Sequence, residues 1–196
     1  MDNIESNLEN FLQQQEICIK NMKNKKLELK KIIKILINAR NKKKKIFTMG
    51  NGGSGSTASH LVSDLLKTAI IKNEKRFQAL SLVDNIPVVL AWSNDVGFEH
   101  IFSEQLKNFM EKGDIVIGFS GSGNSQNLLN AFRFAKKKGA ICIGFTGQGG
   151  GKMKKCCDHC FEVPNVEMLS IESQHLLLCH SITSTIRNLG NPLFRY

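Results

Sequence analysis

Short apolar runs alternate with longer amphipathic segments along most of the chain. The run Ile115-Val116-Ile117-Gly118-Phe119 is apolar throughout, as expected for a parallel strand that helices cover on both faces. Runs of this kind predict strands at 45–50, 77–82, 114–119, 140–146 and 160–163. Helical periodicity predicts two helices over 3–42, then helices at 56–70, 86–92, 98–110, 125–138, 151–156 and 170–189.

Strands that alternate with helices indicate parallel pairing through right-handed crossovers. We therefore predict a three-layer αβα sandwich around a five-stranded parallel sheet, preceded by a pair of N-terminal helices. No repeat or linker divides the chain, so residues 1–196 are expected to form one domain, with an α/β core at 45–190. Ligands of such sheets bind at the carboxyl ends of the strands, where the strand order reverses.

Composition agrees with a globular protein, because 41 % of the residues are hydrophobic and 22 % are charged. No apolar run approaches the roughly 18 residues that a membrane span needs, and the N-terminus lacks the apolar core of a signal peptide. These features favour a cytoplasmic protein without a membrane partner, in which cysteines stay reduced.

The net charge of +10 raises the possibility of nucleic-acid binding. Residues 1–45 hold twelve Lys or Arg and five Asp or Glu, which amounts to +7 of that charge. These lysines alternate with apolar residues at helical spacing, as on the solvated faces of amphipathic helices. The chain has one Tyr and one Trp to stack on bases. We therefore favour solvated helices, with the excess charge also suiting a phosphorylated substrate.

The six cysteines include Cys157-x-x-Cys160, a spacing that metal sites use. No second pair of this kind completes a four-ligand site. The favoured interpretation is that these are small side chains in or beside a buried strand.

Two polar turns rich in glycine and serine follow the first and third predicted strands. They are Gly50-Asn51-Gly52-Gly53-Ser54-Gly55-Ser56 and Ser120-Gly121-Ser122-Gly123-Asn124-Ser125. Inward-turned N–H groups, hydroxyls and helix N-termini together favour a bound phosphate. Serine caps in tight turns are the alternative, but they do not require so many hydroxyls. Neither turn has the fingerprint of a dinucleotide or ATP site, so no nucleotide cofactor is expected.

Two predicted helices carry histidine beside a carboxylate. His60 and Asp64 are four residues apart and share a face of one helix, whereas Glu172, His175 and His180 lie on the last helix. The four side chains of His60, Asp64, Glu172 and His180 could bind a divalent metal such as zinc. An ordinary helical His–Asp pair is the alternative for the first helix. His175 is more simply a core histidine, with support of a ligand as the second option.

These elements in this order resemble the phosphoheptose isomerase branch of the SIS (sugar isomerase) family. The resemblance runs from about residue 47 to residue 187. It rests on Asn51-Gly52-Gly53-Ser54, on His60 with Asp64, on Ser93-Asn94-Asp95, on the second serine turn, and on Glu172 eight residues before His180. It implies a sheet with flavodoxin-like strand order and a homotetramer. Active sites at subunit contacts and oligomerisation through residues 1–44 are also implied.

The resemblance also implies roles for individual residues. Ser54, Ser120, Ser122 and Ser125 are expected to hold the phosphate. The sugar is expected to contact Asn51, Gly52, Gly53, Asn94, Asp95, Gly121 and Glu172. One zinc ion per subunit is expected on His60, Asp64, Glu172 and His180. The implied reaction interconverts sedoheptulose 7-phosphate and D-glycero-D-manno-heptose 7-phosphate.

Ketose–aldose isomerisation moves a proton between C1 and C2 through an enediol, so it needs a base and an acid. Asp64 is the expected base and His180 the expected acid, each contributing ~10²–10⁴-fold. A metal between them is expected to polarise the carbonyl. The familiar form of the family has Glu at position 64 and Gln at position 172, and these differences leave the sugar open.

Three alternatives remain at this point. The first is an isomerase of another ketose phosphate, such as a hexulose phosphate. The second is a non-catalytic SIS protein that senses a sugar phosphate or binds the replication initiator. Such a protein has no need of the four His and carboxylate side chains, so their presence favours the enzyme. A nucleic-acid binder comes third, on charge alone.

Overall fold

Five parallel strands form the centre of the computed structural model, which describes residues 2–194. The strands are β1 (Lys45–Gly50), β2 (Gln78–Ser81), β3 (Ile115–Ser120), β4 (Ile141–Thr146) and β5 (His159–Glu162). Their order across the sheet is β2-β1-β3-β4-β5, and every neighbouring pair is parallel. The predicted flavodoxin-like order is confirmed.

Eight α-helices surround this sheet within the described residues. They are α1 (Asp2–Met22), α2 (Lys26–Asn41), α3 (Gly53–Ser63), α4 (Ile86–Asp95), α5 (Ile101–Phe109), α6 (Gln126–Lys137), α7 (Met153–Cys156) and α8 (Met168–Arg187). A 3₁₀ turn at Lys23–Lys25 joins α1 to α2, another at Phe98–His100 precedes α5, and a π-helical turn at Asp64–Thr68 continues α3.

Successive residues of each strand point to opposite faces, and both faces are apolar. Ile115 and Ile117 of β3 pack into the cluster that α1, α2, α3 and α8 form on one face. Val116 between them packs on the other face, against α5 and α6. This arrangement confirms the predicted three-layer sandwich.

The main difference from the sequence prediction is where the helix after β1 begins. The prediction started it at residue 56, because glycine disfavours helix interiors. The structure starts it at Gly53 and keeps Gly55 within its first turn. Gly52 at φ +52° makes the break between strand and helix by itself. The remaining boundaries of strands and helices differ from the prediction by a few residues at most.

The lysines of α2 lie on solvated faces as expected, since Lys30, Lys31 and Lys34 are exposed while Ile32 and Leu36 are buried. Within residues 2–194, no helix combines the length and the apolar character that a bilayer span requires.

The six cysteines are free and pack in or beside the core. Burial raises the pKa of the Cys142 thiol to about 12, and it also raises the pKa of Cys157 and Cys160. Protonated, buried thiols are poor metal ligands and poor nucleophiles, which agrees with the packing interpretation.

Candidate active site

The strand order reverses between β1 and β3, and a cleft of about 340 Å³ opens there at the carboxyl ends of both strands. Both glycine- and serine-rich turns contribute to it. Its lining consists of Asn51, Gly52, Gly53, Ser54, Phe119, Ser120, Gly121, Ser122, Ser125, Met168 and Glu172. Nine of the substrate-contact residues predicted from sequence therefore line one cleft.

The first turn needs glycine for two reasons. Gly52 has φ +52° and ψ −127°, a conformation that L side chains rarely adopt. At Gly53 a Cβ would collide with the Glu172 carboxylate, so that carboxylate lies directly over the first residue of α3. The turn therefore exposes backbone N–H groups of the helix N-terminus to the cleft.

The second turn uses its serine hydroxyls in two ways. Ser120 Oγ accepts from Gly123 N and Ser122 Oγ accepts from Asn124 N, each at 3.2 Å. Ser125 is the N-cap of α6 but its side chain makes no capping hydrogen bond. Its Oγ instead lies 3.2 Å from Ser120 Oγ. By contrast, Glu167 caps α8 through both carboxylate oxygens, which accept from Leu169 N and Ser170 N. The Ser125 hydroxyl is therefore not consumed by helix capping, whereas Ser120 and Ser122 serve in part as acceptors within the turn, as the alternative interpretation expects.

The electrostatics of the cleft come from dipoles and hydroxyls. Helices α3 and α6 both begin at it, and the N-terminus of a helix favours an anion. None of the residues that line the cleft is Lys or Arg, and Glu172 is the one carboxylate among them. This arrangement suits a phosphate at the turns and sugar hydroxyls beside Glu172.

Asn94 and Asp95 lie elsewhere. They form the exposed C-terminal end of α4, where Asn94 Nδ2 donates to Asp95 Oδ1 at 2.8 Å. Neither residue lines the cleft of its own chain. Their predicted contact with the sugar stays a prediction.

Helices α3 and α8 bring three of the four predicted metal ligands together. His60 Nε2 lies 2.8 Å from His180 Nε2 and 3.5 Å from Asp64 Oδ2. His60 and His180 are accessible to solvent, whereas the Asp64 side chain is 11 % exposed. Acidic and basic groups thus share one small site at the end of α3.

The geometry of this group fits a metal ion. One donor atom from each of the three residues lies within 4.8 Å of the other two, and no other group of this kind occurs among the described residues. Asp64 Oδ2 is buried without a hydrogen-bond partner, which leaves it available as a ligand. Two imidazole nitrogens and one carboxylate oxygen, with a fourth position open, form the donor set of catalytic zinc. Glu172 stands outside this group.

His175 lies on the buried side of α8, in the core. Its ring packs 5.8 Å from the Phe119 ring and 6.4 Å from the Phe145 ring, measured between centroids. Burial lowers the pKa of His175 to about 4, against a smaller opposing effect of the Thr146 backbone. The neutral ring therefore packs among aromatic side chains as part of the core.

The sequence prediction missed Asn127. This residue is 2 % exposed and exchanges two hydrogen bonds with Asn51, so it connects the two turns. The available signal was an amide placed two residues after the last serine of the second turn.

Asn51 and Gly52 also border a second cavity of about 490 Å³ beside β2, which Ser56, Ser59 and Asp84 line in part.

Comparison with known proteins defines the class. The family described as "SIS domain" matches residues 10–147, which is more than half of the chain. The chain therefore belongs to the SIS domain family.

The relatives define the branch. A phosphoheptose isomerase of Aliarcobacter butzleri is 35 % identical over 182 residues, covering 92 % of this chain and 95 % of that protein. One from Rhodospirillum rubrum is 33 % identical over 144 residues, covering 74 % and 76 % of the two chains. The structure of a phosphoheptose isomerase from Francisella tularensis superposes with a TM-score of 0.86 at 26 % identity, covering 95 % and 97 %. Within the SIS family, this chain lies in the phosphoheptose isomerase branch.

Proposed function

We propose that this protein is a phosphoheptose isomerase, which interconverts sedoheptulose 7-phosphate and D-glycero-D-manno-heptose 7-phosphate through an enediol. The observation that carries the proposal is the position of the His60, Asp64, His180 group relative to the cleft. Both lie along the same pair of helices, with Gly53 beside Glu172 at one end and His60 beside His180 at the other.

The distance between the two ends matches a seven-carbon substrate. His60 follows Gly53 by seven positions along α3, and a rise of 1.5 Å per residue places the two roughly 10 Å apart along the helix axis. In an extended heptulose 7-phosphate, seven single bonds of about 1.5 Å separate the carbonyl carbon from phosphorus and span roughly 9 Å. A phosphate held at the turns therefore brings the reacting carbons to His60, Asp64 and His180.

The phosphate is assigned to Ser54, Ser120, Ser122 and Ser125 together with the N-termini of α3 and α6. Hydroxyls of the sugar are assigned to Glu172 and the backbone of the first turn. Asn94 and Asp95 lie outside the cleft of their own chain, so they are assigned to substrate at a contact between subunits. Binding the non-reacting end of the molecule in this way supplies the energy that positions the reacting end.

Asp64 is the proposed base. Its carboxylate removes the proton from C1 or C2 and returns it to the neighbouring carbon. His180 is the proposed acid: its imidazole protonates the carbonyl oxygen as the enediol forms, and it then takes the proton of the neighbouring hydroxyl as that oxygen becomes the new carbonyl. His60 lies against both side chains and holds them in place. A zinc ion bound by His60, Asp64 and His180 would supply Lewis acidity toward the substrate oxygens.

The proposal includes a cytoplasmic homotetramer in which residues 1–44 mediate association. Ile4, Leu8 and Leu12 recur every four residues along α1, and between 52 % and 75 % of each is exposed. A stripe of large apolar side chains on a helix is usually covered by a partner. Light scattering at micromolar concentration should then give about four times the mass of one 21.9 kDa chain. A monomeric mass contradicts this part of the proposal.

The test of function is to add purified protein to sedoheptulose 7-phosphate and follow the aldose by NMR. We expect turnover, its loss on chelation and its return with zinc. A protein that binds the ketose phosphate tightly without forming aldose, even with zinc, is a binding protein and contradicts the proposal.

A further inference from the structure

Two amides, the half-buried Asn51 and the buried Asn127, join the glycine- and serine-rich turns. Asn127 Nδ2 donates to Asn51 Oδ1 at 2.8 Å, and Asn51 Nδ2 donates back to Asn127 Oδ1 at 3.1 Å. Asn51 stands two residues before α3, and Asn127 is the second residue of α6. The pair therefore links the two helix N-termini that face the cleft.

The orientation of the Asn127 amide is determined by its own helix. The Leu128 N–H donates to Asn127 Oδ1 at 3.0 Å, so this oxygen acts as an acceptor for two donors. The Asn127 NH₂ group must then face Asn51, as the 2.8 Å bond shows. Three hydrogen bonds thus fix the orientation of this buried amide, which holds Asn51 in one position.

The pair also changes what Asn51 can do. Both its Oδ1 and its Nδ2 face Asn127, so the side chain is occupied within the protein rather than aimed at the cleft. Nevertheless Asn51 lines the cleft and the second cavity, through the part of the turn that it shares with Gly52. Its side chain therefore fixes the turn while its backbone borders the ligand.

We propose that Asn127 is a positioning residue, which sets the spacing of the two phosphate-binding turns through Asn51. This inference rests on the proposed phosphate site and adds a residue to it. A phosphate held by hydroxyls and N–H groups of both turns needs those turns at a fixed separation, since short charge-assisted bonds weaken steeply with distance. Loss of the pair should therefore weaken phosphate binding while it leaves the His60, Asp64, His180 group unchanged.

Asn127→Asp tests this most sharply, because the carboxylate has nearly the same shape but cannot donate to Asn51 Oδ1. The matched control is Asn130→Asp on the same helix. It adds the same charge one turn away, where the amide bonds Glu99 O rather than the first turn. We expect affinity for inorganic phosphate, measured by calorimetry, to fall at least tenfold in Asn127→Asp and less than threefold in the control. For the sugar phosphate, KM should rise at least tenfold with kcat within about threefold of wild type.

A second set of variants covers a failure of Asn127→Asp to fold. Asn51→Ala and Asn127→Ala should each weaken phosphate binding, and the double variant should be no weaker than the worse single one. Additive losses, or phosphate affinities equal to the wild type, overturn the inference.

Calorimetry with inorganic phosphate does not depend on the sugar. A protein that fails to turn over heptulose phosphate but shows these phosphate affinities refutes the proposed function and keeps the inference. A wild-type protein that binds no phosphate overturns the inference.

Discussion

The phosphate cleft and the His60, Asp64, His180 group are assembled in different ways. The cleft takes its donors from two loops that each connect a strand to the next helix. The other group forms between two helices, where His60 meets a histidine 120 residues further along the chain. The first region depends on local backbone geometry and the second on the packing of α3 against α8.

With the roles proposed above, this difference separates phosphate binding from proton transfer. Neutral hydroxyls and helix dipoles suit a fixed anion and carry no exchangeable charge of their own. A carboxylate and two imidazoles suit proton transfer, because such side chains act as general acids and bases. Variants of one region should therefore affect KM, and variants of the other should affect kcat.

His180→Gln is expected to have the largest effect. It removes the proposed acid and a donor of the metal group together, so kcat should fall by at least about 10⁴-fold, the upper end of what a single acid supplies. Affinity for inorganic phosphate should stay within about twofold of wild type. A variant that keeps a tenth of the wild-type kcat, or that loses phosphate binding, contradicts the division between the regions.

Replacements of Asp64 come next. Asp64→Asn keeps the shape of the side chain but cannot accept a carbon-bound proton, so kcat should fall by about 10²–10⁴-fold. Asp64→Glu keeps the carboxylate and is the control: its activity should survive or rise if the pocket accepts one more methylene. Turnover by Asp64→Asn near the wild-type rate would exclude Asp64 as the base.

Variants of the serines proposed to bind phosphate should change KM more than kcat, the reverse of the pattern expected for His180 and Asp64. Ser122→Ala with Ser125→Ala removes two hydrogen bonds to a charged group, each worth ~1.5–3 kcal/mol, so KM should rise by at least tenfold. Unfolding temperature should change little, and kcat should change less than KM. Ser184→Ala, an exposed serine far along α8, is the control. An unchanged KM in the double variant would remove the second turn from the site.

The smallest effect on activity is expected at His175, on the buried side of the helix that carries His180. Burial lowers the pKa of His175 to about 4, from about 6.5 in an unfolded chain. Protons therefore bind the unfolded chain first as pH falls. The stability from the neutral ring is complete above pH 6.5 and is lost as pH falls through about 4.

His175→Leu removes this proton linkage. Its free energy of unfolding should decline less than that of wild type between pH 7 and pH 4, by on the order of 3 kcal/mol. His100→Leu is the control, because that side chain is 39 % exposed. Parallel pH profiles for wild type and His175→Leu would show that His175 is not held neutral. Neither variant should change turnover at neutral pH by more than about twofold.

The difference between local turns and contacts between distant helices also explains which features could be predicted from the sequence. Apolar runs and glycine-rich turns are local signals, so the five strands were predicted correctly, and nine of the residues expected to contact substrate line one cleft. The start of α3 was missed because Gly53 and Gly55 disfavour a helix locally, whereas the packing of α3 on β1 and α8 favours one. Tertiary packing overrides propensity at such positions.

Contacts between segments that are distant in the sequence were harder to predict. Helical spacing placed Glu172 and His180 on one side of α8, but it did not show that Glu172 lies over Gly53, away from the other three side chains. Asn127 was missed because its amide pairs with that of Asn51, which is 76 residues away in the sequence. Neither residue by itself indicates that the two side chains meet.

The most direct test of the central claim is to compare kcat/KM for ketose phosphates of five, six and seven carbons. The claim is that α3 and α8 hold the phosphate cleft and the proton-transfer group at a distance that fits seven carbons. A chain shorter by one carbon misplaces the carbonyl by roughly 1.3 Å, enough to cost on the order of 10²-fold. We therefore expect kcat/KM for sedoheptulose 7-phosphate to exceed that for the six-carbon homologue by at least tenfold. An equal or higher value with the hexulose phosphate would contradict the account.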